Sequence, residues 1–179
     1  MTSLENIKLS TDQLASFLGV AVPRLNAWRH AGLLPHISSG RGYPAEYRMA
    51  QILSAWLCCV LVDMGAKASD AASVASHVAI VPQIVCVKIG QRAVVEVMFR
   101  NGRPVLAHDP LTDPKVVIPL EPVFQRLIPV LGAELAAHRG EEAGQAAQDA
   151  FWQTVAEARR RHQFQETVGA AIVDAIKNE

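Results

Sequence analysis

The chain is poor in the residues that most chemistries need in clusters. Its three cysteines, Cys58, Cys59 and Cys86, form neither a CxxC pair nor a metal-type group. So sparse and odd a count fits buried thiols in a reducing compartment better than a disulfide framework. An excess of one charge is missing too, since 17 Lys+Arg balance 17 Asp+Glu, whereas nucleic-acid binders usually carry a basic surplus. The longest apolar run, residues 55–62, is far too short to cross a bilayer. The first residues, which include Glu5 and Asp12, hold no continuous apolar stretch of the signal-peptide kind. The expectation is a cytoplasmic protein without a membrane partner.

Catalytic signatures are also lacking. There is no Walker-type loop, HExxH, GxSxG or dinucleotide fingerprint. His108 and Asp109 are adjacent, but they lie among Pro104, Pro110 and Pro114, where turn and capping roles explain them more cheaply. His138 and His162 have no partners at ligand spacing. No enzymatic activity, metal or cofactor is expected, and no internal repeat or low-complexity tract stands out.

What is present is a folding sequence: half of it is apolar and 19% charged, which excludes a disordered chain. The neutral total also hides a local imbalance. Between Arg24 and Arg48 lie four arginines (Arg24, Arg29, Arg41, Arg48), two histidines (His30, His36) and one acid, Glu46. Acids gather later, at Glu121, Glu134, Glu141 and Glu142.

The N-terminal part predicts short helices with clear punctuation. Ser10 or Thr11 can cap a first helix, with Asp12 near its positive end and Leu14, Phe17 and Leu18 on one face. Gly19 ends it, as glycine does where the backbone must take positive φ. Pro23 suits the opening turn of a second helix, where its missing N–H is no loss. Leu25 and Trp28 point to the core, leaving Arg24, Asn26, Ala27, Arg29 and His30 outside, and Gly32 stops the helix. A basic loop, Ser38-Ser39-Gly40-Arg41-Gly42-Tyr43, follows. Tyr47 leads into a densely apolar third helix carrying Trp56 and ending at Gly65, and a fourth runs from Ser69 to about Val78.

The composition then shifts toward β-branched residues. Val85, Val87 and Ile89 alternate with Cys86 and Lys88. Residues 94–100, the turn Asn101-Gly102 and residues 103–107 read as a hairpin, and 116–118 as a further strand. A helix is expected around 123–137, interrupted or restarted by Pro129. Residues 141–176 carry a heptad-like spacing through Phe151, Val155 and Ala158, with His162 and Gln165 at seam positions. Either that helix packs on its own sheet or it pairs two chains. The fold class is therefore mainly α with a small antiparallel sheet, divided into residues 1–79 and 80–179.

The order of the N-terminal parts resembles the DNA-binding domain of the MerR family of transcription regulators. It shares a helix ending in Gly19-Val20, a second ending in Gly32-Leu33-Leu34, a Gly/Arg-rich wing and Tyr47 before the next helix. In that next helix Ile52, Ala55, Cys58, Leu61, Met64 and Gly65 occupy the family's apolar and glycine positions. The family often has Arg-Tyr-Tyr where this chain has Asn26-Ala27-Trp28, which is more similar to small MerR-like and excisionase-type proteins. With no cysteine after Cys86, a metal-sensing site is not carried over.

The resemblance implies a winged helix-turn-helix with its second helix in the major groove. Arg24 and Asn26 would then reach base edges, with Ala27 on the same outer face, and Arg29 and His30 the backbone or groove wall. Ser38, Ser39 and Arg41 would place the wing on phosphate or in the minor groove. Tyr43, Tyr47 and Arg48 would clamp the backbone, with Tyr47 balanced between that role and a lid on the core. The implied function is a sequence-specific, nucleoid-associated transcriptional regulator acting on double-stranded DNA as a homodimer. Its C-terminal part would dimerise the chain or sense a small-molecule or protein effector. Two alternatives stand beside it: an excisionase-like or phage packaging factor, and an interaction adaptor that no longer binds DNA.

Overall fold

The computed structural model describes residues 4–34, 44–78, 94–106 and 116–177; side chains are described throughout these except at Leu106 and over much of the chain after Arg161. It is mostly helical, with two small antiparallel sheets. The wing residues Ser38, Ser39, Arg41 and Tyr43, the alternating stretch around Cys86, and His108-Asp109 lie outside the described residues.

Helix α1 (Thr11–Leu18) begins with a reciprocal cap. The Gln13 amide N–H donates to Ser10 Oγ at 3.2 Å, and the Ser10 N–H donates to Gln13 Oε1 at 2.8 Å. Two of the helix's unpaired donors are satisfied in this way. At its end Gly19 takes φ +69°, a left-handed conformation in which a Cβ is strained, and its N–H turns back to the last carbonyls. Helix α2 (Val22–His30) follows at once, with Pro23 in its first turn.

A short strand β1 (Leu9–Ser10) pairs antiparallel with β2 (Glu46–Tyr47), joining the lead-in of α1 to the lead-in of α3 (Met49–Asp63). Helix α3 is the centre of this half. Met49, Ile52, Leu57, Cys58 and Leu61 are almost fully enclosed, so the helix is covered on most of its circumference, as its continuous apolar composition predicts. Helix α4 (Ala68–Val78) lays its small Ala71 and Ala75 against α3.

The second sheet has the order β4-β3-β5, built from β3 (Val94–Arg100), β4 (Arg103–Leu106) and β5 (Val116–Pro119). Its hairpin turns at Asn101 (φ 52°) and Gly102 (φ 75°), the pair of positive-φ residues that a tight two-residue connection requires. Val95, Val97 and Ile118 bury one face of this sheet in the same core as α5 (Glu121–Arg139). Helix α5 runs unbroken through Pro129 rather than restarting there. Gly140 then reverses the chain into α6 (Glu141–Lys177), which returns along α5. Phe124 and Phe151 stack between the two helices, 6.2 Å apart, and Arg159 meets Glu121 at 2.8 Å where α6 passes the start of α5.

One hydrophobic cluster extends from Leu4 to Val155 and takes residues from both sides of the boundary expected near residue 79. The junction between α1 and α5 is specific. The Arg126 guanidinium lies over the Phe17 ring and donates to the Phe17 carbonyl at 2.9 Å, and Gln13 donates to Glu134.

Candidate nucleic-acid interface

Helix α2 meets the body along one side, with Val22 and Trp28 half-buried against the core. Leu25, fully enclosed, is its one buried residue. At 3.6 residues per turn, Pro23, Ala27 and His30 share the face opposite Leu25, and all three are exposed. Arg24 (exposed) and Asn26 (half-buried) flank that face on either side. Arg29 falls nearer the Leu25 side and is half-buried, so it stands at the margin of the exposed face.

No acid occupies the first turn of α2, Arg29 and His30 close its last turn, and its N-cap, Ala21, offers no side-chain acceptor. The helix therefore presents its first backbone N–H groups with no capping side chain over them, in a segment whose ionisable side chains are all basic. Arg24 is not extended into solvent. Its guanidinium sits over the Trp28 ring, 4.7 Å from the centroid, an i,i+4 stack along the helix. Trp28, expected in the core, is only half-buried and serves as the platform for this cation. Trp56 of α3 is likewise half-buried against the core.

Arg24 also reaches electrostatically toward two thiols of α3. Burial pushes Cys58 up to about 12, with the neighbouring Cys59 adding to the rise and Arg24 opposing it. Burial likewise raises Cys59 to about 11, opposed by Arg24 and reinforced by Asp63. Burial thus holds both thiols protonated at neutral pH, in keeping with their place among the packed side chains of α3. Among the described residues no group of three His, Cys, Asp or Glu side chains is placed to hold a metal ion. No described helix is long and apolar enough to cross a membrane.

Tyr47 corrects one sequence expectation. It is fully enclosed, and its hydroxyl is shielded with no hydrogen-bond partner among the described residues. It cannot clamp a phosphate from there. The cause is the β1–β2 ladder, which sets Tyr47 opposite Leu9 in the core, and α3 starts two residues later, at Met49. Arg48, next in sequence, is exposed.

Sequence reasoning missed the Arg24–Trp28 stack, although the spacing of four within a helix was a sufficient signal. It also missed a largely apolar cleft between α4 and the hairpin, rimmed by Asp70, His77, Arg100 and Arg103, which no local pattern announces. Compared with known protein families and with curated proteins, the chain matches none.

Proposed function

We propose that the protein is a sequence-specific DNA-binding transcriptional regulator that works as a homodimer, with α1 and α2 as a helix-turn-helix of the MerR-like winged type. The observation that carries this reading is the mounting of α2. A nine-residue helix anchored by the single buried side chain Leu25, with exposed Pro23, Ala27 and His30 flanked by Arg24 and Asn26, has a free face narrow enough for the major groove. Arginine can fork onto guanine and asparagine onto adenine, and these two are the residues assigned to base edges. Arg29, His30 and Arg48 are assigned to phosphate and groove wall.

A single short helix reads few base pairs, so two copies on a pseudo-palindrome supply the specificity. Helix α6 fits the role of coupling them. Past Arg159, where it leaves the start of α5, it continues to Lys177, a further length of about 27 Å at the rise of an α-helix. The experiment is immunoprecipitation of bound DNA with sequencing, on the native chain and on an Arg24→Ala/Asn26→Ala double variant, together with sedimentation of the native chain. Discrete peaks at promoters that vanish in a folded variant, from a chain that sediments as a dimer, support the reading. A native chain that enriches no DNA, or that enriches the same sites after substitution, removes it.

A further inference from the structure

Helix α1 is held on α5 at two separate points by polar side chains. At its end the Arg126 guanidinium covers the Phe17 ring, 5.3 Å from the centroid, and donates to the Phe17 carbonyl at 2.9 Å. At its start Gln13 donates through Nε2 to Glu134 Oε2, and the other oxygen of that carboxylate lies 3.2 Å from His138 Nε2. A groove of about 440 Å³ lies along this junction, with Ser16, Gln125, Pro129 and Val130 in its walls. Long side chains therefore bridge the two helices beside a space that packing does not fill.

The Gln13 amide works at both of its ends. Its Oε1 accepts the Ser10 N–H at 2.8 Å as part of the α1 cap, while its Nε2 faces the Glu134 carboxylate. A backbone N–H requires an acceptor and a carboxylate requires a donor, so one orientation of the amide satisfies both and the flipped one satisfies neither. The side chain that caps α1 is thus the one that ties its start to α5. Gln13 precedes Phe17 whereas Glu134 follows Arg126, so α1 is fastened against the direction of α5. At the rise of an α-helix the two points are about 6 Å apart on α1 and about 12 Å apart on α5. A single contact would leave a pivot, and two separated contacts fix an angle. Helix α2 follows α1 after the short turn at Gly19, and α5 packs on α6.

We infer that Gln13, Glu134 and Arg126 are positioning residues that set the angle of α1 and α2 against the α5–α6 pair, and with it the separation of the two half-sites that a dimer reads. The inference rests on the proposed DNA-binding reading. It adds to that reading a determinant of target choice that need touch no base.

The test separates the clamp from the cap. Glutamate serves as well as glutamine in a capping box, so Gln13→Glu keeps the α1 cap and sets a second carboxylate against Glu134. Gln13→Glu/Glu134→Gln restores a donor–acceptor pair with the roles exchanged. The full chain and both variants are used to select from a library of random duplexes long enough for two half-sites. The half-site motif of the native chain should persist in Gln13→Glu, because α2 is untouched, while the separation of its two copies broadens or shifts. The double variant should regain the native separation. On the free chain, amides of α1 should exchange hydrogen about tenfold faster in Gln13→Glu, the worth of one charged hydrogen bond, and at the native rate in the double variant. Arg126→Ala should also broaden the separation and leave the salt dependence of affinity unchanged. A salt slope lower by about one would make Arg126 a phosphate contact and overturn its positioning role. A separation or an exchange rate in Gln13→Glu equal to that of the native chain overturns the inference and leaves the DNA-binding reading standing. A native chain that enriches no paired motif overturns both.

Discussion

Arg24 rests its guanidinium on the Trp28 ring, 4.7 Å from the centroid and one helical turn away. The stack holds a mobile cation at the edge of the exposed α2 face and reduces the side-chain entropy it would lose on meeting a phosphate or a base. On the proposed DNA-binding reading, Arg24→Ala should therefore weaken binding to duplex DNA and lower the slope of log affinity against log salt by about one, the signature of a lost phosphate neutralisation. Trp28→Leu should leave the salt slope intact and lower affinity by a smaller factor, because the charge stays and only its platform goes. Fluorescence anisotropy on a labelled duplex across a salt series reads both quantities. An unchanged slope in Arg24→Ala would take this arginine off the interface.

Tyr47 presents the opposite case, a polar group in the wrong place for binding. Its enclosed hydroxyl has no partner among the described residues, so Tyr47→Phe removes a desolvated group without opening a cavity. The variant should be as stable as the native chain or more stable by up to about 1 kcal/mol, with DNA affinity unchanged. Tyr47→Ala should lose roughly 3–5 kcal/mol, the usual cost of removing a large enclosed ring. Urea unfolding monitored by circular dichroism distinguishes the two. A large loss in Tyr47→Phe would mean that the hydroxyl is satisfied after all.

These two residues also mark how much the sequence discloses. The boundaries of α1, α2 and the hairpin were legible because their signals are local: the Ser10–Gln13 cap, Gly19, Pro23 and the Asn101-Gly102 turn. The outer face of α2 was legible only in part: Leu25 is buried and Arg24, Ala27 and His30 are exposed, but Asn26 and Arg29, expected outside, and Trp28, expected in the core, are all half-buried. The place of Tyr47 was not legible, since its burial depends on pairing with Leu9 across the chain. Pro129 misled in a similar way. Proline in isolation ends a helix, yet packing along α6 holds α5 continuous through it. The cleft was hidden because Asp70 and Arg103 lie in different elements and meet only in the tertiary fold.

The thiols of α3 predict a pH dependence of stability. Both are raised above the ordinary value of 9.0, Cys58 to about 12 and Cys59 to about 11. Below about pH 9 both folded and unfolded chains keep these protons, and the contribution to stability is fully present. Above it the unfolded chain loses them first, so it binds fewer protons than the native state and stability falls as pH rises toward the folded values. Denaturant midpoints measured from neutral pH into the alkaline range should decline, and a Cys58→Ala/Cys59→Ala variant should decline less steeply. Parallel slopes in the two proteins would contradict the assignment. At pH 8 the native thiols should also react slowly with a disulfide reagent and quickly once unfolded.

Gly144 sets the closeness of α5 and α6. A Cβ built there falls 2.5 Å from the Gly132 carbonyl oxygen and 2.8 Å from Ala136 Cβ. Two effects oppose each other in Gly144→Ala. Alanine gains up to about 1 kcal/mol of helix propensity over glycine in a helix interior, whereas overpacking a close contact costs typically about 1–3 kcal/mol. The first contact is to backbone, which cannot rotate aside as a side chain can, so the steric cost should win and the variant should be destabilised. Ala146→Gly, at an exposed position of the same helix, isolates the propensity effect and should also destabilise, by about 1 kcal/mol. Propensity alone predicts opposite signs for the two variants, and close packing predicts the same sign. Thermal melts of both proteins decide between them, and a raised midpoint in Gly144→Ala would show that the helices separate at little cost.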